Sequence, residues 1–168
     1  MEPKKESFSM VSRLNRRVAM TPYVFAITWM GLIFLFSTDI GASSNTFHYF
    51  ESTLRFFFPR ITPHAMLLVH QWMRKLAHVT EYAILSYLWF RAFQQGRGNW
   101  SFRWALWALV LSISYALLDE YHQVFVPSRT PSFLDVGIDS MGALMMQVYL
   151  FITLPQSLSE SKGDKTVL

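Results

Sequence analysis

Long apolar stretches alternate with short polar ones along the 168 residues. Their lengths predict helices that cross a membrane rather than helices laid on a soluble core. Residues 1–20 are polar and basic, with Lys4, Lys5, Arg13, Arg16 and Arg17. Pro22 then opens the run Tyr23 to Phe36, which with its flanks predicts a first span over about residues 19–38. A second span is expected over about Trp72–Phe93, followed by a flexible connection from Gln94 to Asn99. The third begins near Phe102 and runs past Asp119 towards Val126, where Pro127 stops it. The fourth covers about Phe133–Leu154. A basic segment before an apolar run also fits a signal peptide, but Ser37 to Ala42 makes a poor cleavage site, so an uncleaved span is expected. The chain thus divides into a basic segment, 1–18, a four-span domain, 19–154, and a polar tail, 155–168.

Between the first two spans the pattern changes. Phe47, Phe50, Leu54, Phe57 and Phe58 recur at helical spacing opposite His48, Glu51 and Arg55. That arrangement suits a short helix lying in the membrane interface, or a plug packed on top of the bundle. Pro59 and Pro63 break the pattern, and a second helical piece is expected from near His64.

Composition agrees with the pattern. Apolar residues make up 52% and charged residues 15%, against about a quarter charged in soluble domains. The expected fold is all-α, an integral membrane bundle of four transmembrane helices with an interfacial helical segment between spans 1 and 2. The net charge of +4 does not point to nucleic acid, because Lys and Arg flank the apolar runs and form no basic stripe. With no cysteine, disulfides, thiolate zinc sites and cysteine catalysis are excluded. The amino-terminal segment holds five Lys and Arg, the second connection with Arg91, Arg97 and Arg103 three, and the tail two. Ten of fifteen on one side predicts both termini in the cytoplasm. Two polar stretches then fall in the outer half of the membrane.

The first stretch is Arg74-Lys75-Leu76-Ala77-His78-Val79-Thr80-Glu81-Tyr82; the second runs from Asp119-Glu120-Tyr121-His122-Gln123 through Pro127-Ser128-Arg129 to Asp135 and Asp139. Ionisable residues within spans are a functional-site hypothesis by default. At about 100° per residue, Lys75, His78 and Glu81 share an arc of about 120°, and Asp119, Glu120 and Gln123 one of about 100°. Asp135 and Asp139 stand one turn apart. Three helices therefore present polar faces at similar depth, and a cavity between them is expected. Lys75 and Arg129 carry donors suited to phosphate or pyrophosphate, or else neutralise the acids and tie the helices together. Arg74 reads as an interface anchor, and His48, His64 and His70 as interfacial. His78 with Glu81 could supply acid–base chemistry or metal ligands. Asp119, Glu120, Asp135 and Asp139 offer hard oxygen for Mg²⁺ or Ca²⁺, but metal is not favoured, since four acids facing Lys75, Arg129 and His78 could also form a self-satisfied ion-pair network. Ser37, Ser114, Ser128 and Ser140 are available, yet nothing places one against His78 as a triad requires. Gly142 with Ala143 is expected to allow a close helix crossing.

The residues Lys75-x-x-His78-x-x-Glu81-Tyr82, Asp119-Glu120-x-x-Gln123-x-Phe125-x-Pro127-x-Arg129 and Asp135-x-x-x-Asp139-x-x-Gly142 resemble the VanZ-like membrane protein family, as does the pair Phe36-Ser37. The resemblance covers roughly residues 20–152, in the family's order and spacing. Two positions depart: Asp139 stands where many members carry Asn, and Met146 where a second small residue is common. The founding member is associated with low-level resistance to the glycopeptide teicoplanin. The resemblance therefore implies a bacterial inner-membrane protein concerned with envelope lipids or the antibiotics that bind their precursors. The leading expectation is an outer-leaflet pocket that binds, or also modifies, an anionic envelope lipid or lipid-linked precursor. In that pocket His78, Glu81, Asp119 and Glu120 would be catalytic if chemistry occurs, and Lys75, Gln123, Arg129, Asp135 and Asp139 would hold the ligand. The alternatives are a membrane-embedded hydrolase or transferase using His78 and Glu81, and a small transporter.

Overall fold

The computed structural model describes residues 3–38, 43–127, 129 and 131–156, with side chains described from Met20 in the first helix and for Phe47 and from Phe50 onward in the second. The basic side chains before Met20, His48, Ser128 and the tail beyond Gln156 lie outside the described residues. Five helices follow in order: α1 (Pro3–Ser37), α2 (Ser43–Phe57), α3 (Pro63–Gln94), α4 (Phe102–Gln123) and α5 (Phe133–Thr153). Among the described residues there is no strand.

Three helices are long and apolar enough to cross a membrane: Met20–Ser37 within α1, Phe102–Gln123 and Phe133–Thr153. α3 is as long as any crossing requires, at 32 residues, but His78, Glu81 and Arg91 lower its hydropathy below theirs. The outward faces carry Phe25, Ile27, Leu118, Met145 and Ile152, each more than half exposed. Apolar side chains spread over a whole outer surface belong against lipid.

The element boundaries differ from expectation in three places, each for a local reason. The pieces expected near His64 and at Trp72 are one continuous helix. Pro63 occupies the first helical position, where a missing N–H costs nothing, and Thr62 Oγ1 accepts from Ala65 N at 3.3 Å as the cap. Nothing between Pro63 and Trp72 then interrupts the helix. α1 likewise runs through Pro22 back to Pro3; the ring holds φ at a helical value and removes one backbone hydrogen bond. α4 stops at Gln123, short of Val126, because Val124, Phe125 and Val126 donate to carbonyls three residues back, at 3.3, 3.0 and 3.1 Å. Tightened turns of this kind end a helix ahead of a proline.

Contacts fix the relative directions. Near the start of the apolar part of α1, Tyr23 meets Trp89 and Phe93 late in α3; further on, Trp29 Nε1 donates to the Glu81 carbonyl at 2.9 Å. Phe90 packs with Ala105 early in α4 and Leu150 late in α5. α1 and α4 therefore run opposite to α3 and α5. The α3–α5 seam is the most extensive contact, and Gly142 makes it so: a Cβ there would strike the Val79 carbonyl and stand 2.9 Å from Val79 Cα. Farther along, Gln147 Nε2 donates to the Ser86 carbonyl at 3.2 Å and to Ser86 Oγ at 2.7 Å. Ile33, Tyr82, Leu85 and Ala116 form one buried cluster, and Phe90, Ala105, Ala108 and Leu150 a second nearer the opposite end.

Candidate functional site

The end of α1, one face of α3 and the end of α4 surround a cavity of about 310 Å³. Phe50 of α2 and Arg129, in the α4–α5 connection, complete its wall. On α3 the lining residues are His70, Met73, Arg74, Ala77, His78 and Glu81, a three–one–three–one–three spacing that lies on one helical face. α1 contributes Phe36 and Ser37, and α4 contributes Asp119 and Gln123.

Lys75 is outside. It is exposed and its ammonium lies 5.7 Å from the centre of the Trp72 ring. The expectation that Lys75 faces the pocket is corrected by geometry. At about 100° per residue, Arg74 falls between His78 and Glu81, whereas Lys75 lies about 60° beyond His78. Glu120 is displaced from the cavity in the same sense, about 60° beyond Gln123. Its carboxylate accepts the backbone N–H of Ser132, the N-cap of α5, and so ties the end of α4 to the start of α5. One carboxylate oxygen of Glu120 thus serves as a cap, outside the cavity that Asp119 lines.

Of the other expected residues, His78, Glu81, Asp119, Gln123 and Arg129 meet at the cavity. His78 Nδ1 lies 3.2 Å from Oδ1 of Asp139, which is only 2% exposed behind it on α5. Asp135, half-buried in the first turn of α5, reaches His78 and Asp139 only through its charge. Gln123 Nε2 donates to Asp119 Oδ2 at 3.2 Å. Ser37 Oγ lies near the Asp119 carboxylate but meets no acceptor in hydrogen-bonding geometry, and Asp119 Oδ1 is likewise buried without a donor. The Arg129 guanidinium donates to the Phe36 carbonyl and, at 3.3 Å, to that of Thr38. It therefore closes the exposed carbonyls at the end of α1, where a cation is favoured.

Several lining residues were not singled out as functional from the sequence. Arg74 and His70 were read as interfacial, yet both line the cavity, and the buried His70 ring packs against Phe47 and Phe50 at 5.3 and 5.2 Å between centroids. The spacing of 70, 74, 77, 78 and 81 carried the signal. Ser37 entered only through the Phe36-Ser37 pair of the family resemblance and as an available serine, and its partner Asp119 lies far away in sequence. Among the described residues no three His, Asp or Glu side chains converge as a metal-binding set, and no hydrogen bond joins a serine to His78.

A carboxylate-held imidazole beside free carboxylate oxygens, in a mostly apolar recess, can bind a polar head group, exchange protons with it, or both. A protein-family model described as VanZ/LLP1 matches residues 23–154. No curated protein and no solved structure matches the chain.

Proposed function

The chain belongs to the VanZ/LLP1 family, and on that premise we propose a four-span protein of the bacterial inner membrane whose cavity binds the anionic, phosphate-bearing head group of an envelope lipid or lipid-linked precursor. In this reading α3 is the fourth crossing. It runs beside three apolar helices, and His78 and Glu81 turn towards the cavity instead of lipid. α2, with Phe56 and Phe57 exposed, and Phe58 just beyond it lie in the interface. The ten-to-five distribution of Lys and Arg puts both termini in the cytoplasm and the cavity in the outer half.

The observation that carries the reading is the make-up of the wall. Phe36, Phe50, Met73 and Ala77 are apolar, and Arg74 stands among them with no carboxylate partner among the described residues. An apolar recess beside an uncommitted guanidinium suits a molecule that joins acyl or prenyl chain to phosphate. Arg129 supports this wall through α1. Holding a lipid-linked precursor would also bear on glycopeptides that bind such precursors.

Melting curves in detergent test the reading, with phosphatidylglycerol and a polyprenyl phosphate as probes. A ligand at about 100 times its Kd stabilises by about 2.7 kcal/mol, so either lipid should raise the wild-type Tm by several degrees. Arg74→Gln should remove most of that rise. A wild-type Tm unmoved by both lipids rejects the proposal.

The His78–Asp139 contact favours a second reading, a hydrolase or transferase in which Asp139 orients the imidazole as general base. Turnover of a bound phosphorylated lipid, lost in His78→Gln with binding retained, would select it. A transporter has less to draw on. The ionisable groups gather at one end, and Phe90, Ala108 and Leu150 pack the other.

A further inference from the structure

The inner wall of the cavity holds more acceptors than donors. Ser37 and Asp119 are each only 5% exposed, and Ser37 Oγ and Asp119 Oδ1 are buried without hydrogen-bond partners. The Glu81 carboxylate shares the cavity and meets no donor among the described residues. Of the nearby donors, His78 Nδ1 is engaged with Asp139, Arg129 with the α1 carbonyls and Gln123 with the other Asp119 oxygen, which leaves the neutral Ser37 hydroxyl beside Asp119. Arg74 stands two turns from Glu81, about 10 Å along the helix axis. Glu81 and Asp119 share the nearby charge of His78, with Arg129 also near Glu81; burying two carboxylates together is costly, and a phosphate placed against them would add repulsion.

Resting on the phosphate-binding reading above, we infer that the cavity's inner wall receives a primary ammonium group, so that its ligand carries an amine beside a phosphate, as a phosphoethanolamine head group does. The phosphate sits at Arg74 and the ammonium reaches Glu81 and Asp119. An ammonium brings three N–H donors and one positive charge to a wall where two carboxylates stand together. A glycerol hydroxyl brings one donor and no charge. A trimethylated amine brings the charge without a donor.

Lipids of identical acyl chains, titrated onto the detergent-purified full chain and followed by native mass spectrometry, separate these cases. Phosphatidylethanolamine should bind about tenfold tighter than phosphatidylglycerol, phosphatidic acid or phosphatidylcholine, the yield of a charge-assisted hydrogen bond. Asp119→Asn should erase that preference, bringing phosphatidylethanolamine to the affinity of phosphatidic acid. Because the comparison among lipids uses the wild-type protein, it stands even where a variant folds poorly. Equal affinities for the four lipids, or a preference that survives Asp119→Asn, overturn the inference and leave the phosphate reading intact. Binding of none of them removes both.

Discussion

At the level of Ser86 and Gln147, α3 and α5 bury two polar side chains and join them, amide to hydroxyl and carbonyl. Nearer the other end of the same bundle, Asp119, Glu81 and Ser37 are brought together with few partners of their own. Gln147 leaves a neutral carbonyl oxygen without a donor; Asp119 leaves a carboxylate oxygen. The first arrangement fastens two helices. The second gives up stability, since an unsatisfied buried polar group costs about 1–3 kcal/mol and a charged one more. One fold thus keeps a fastening and a receptive site at two levels of the same bundle, with α3 common to both, and substitutions should affect the two oppositely.

The largest effect is expected where both ends depend on the same contact. Gly142→Val drives a branched side chain into the Val79 backbone and should cost about 3 kcal/mol or more. It should lower the Tm in detergent and abolish lipid binding together; an unchanged Tm would mean that the seam is not as close as described. Gln147→Leu and Asp119→Asn then form a matched pair. The first removes the donor to Ser86 and should lower stability by about 1 kcal/mol, in the range for hydrogen bonds between membrane helices. The second removes a buried carboxylate, one oxygen of which has no donor, while keeping a group that Gln123 can reach, and should leave the Tm of the ligand-free protein unchanged or higher. A loss of stability in Asp119→Asn would erase the contrast. The smallest effect belongs to Lys75→Met. An exposed side chain lying over Trp72 should change neither Tm nor lipid affinity measurably, whereas Arg74→Gln should weaken binding.

The apolar runs were legible because a membrane crossing leaves a long, uniform signature, and the three convergent polar faces followed from helical pitch alone. The errors came from placing the middle of a face. Taking Lys75 and Glu81 as its edges set the centre near His78 and left Arg74 aside, although Arg74 lies between His78 and Glu81 in projection. Glu120 was grouped with Asp119 by adjacency, and only the position of Ser132 across the connection shows what its carboxylate caps. α3 looked like two pieces because Pro59 and Pro63 both read as breaks, when Pro63 at the first helical position begins the helix. The role of Arg129 had no local signature. Carbonyls at the end of a helix are written in no side chain.

That arginine contact has a consequence for how the protein is made. Phe36 and Arg129 are 93 residues apart in the chain, and closure over such a distance follows local helix formation. During synthesis α1, α2 and α3 precede α4, and Arg129 follows them all. The rim of the cavity is therefore assembled late, when the connection leading to α5 folds back onto the end of α1. A chain halted after α4 could hold most of its helices in the membrane and still have no closed recess to fill.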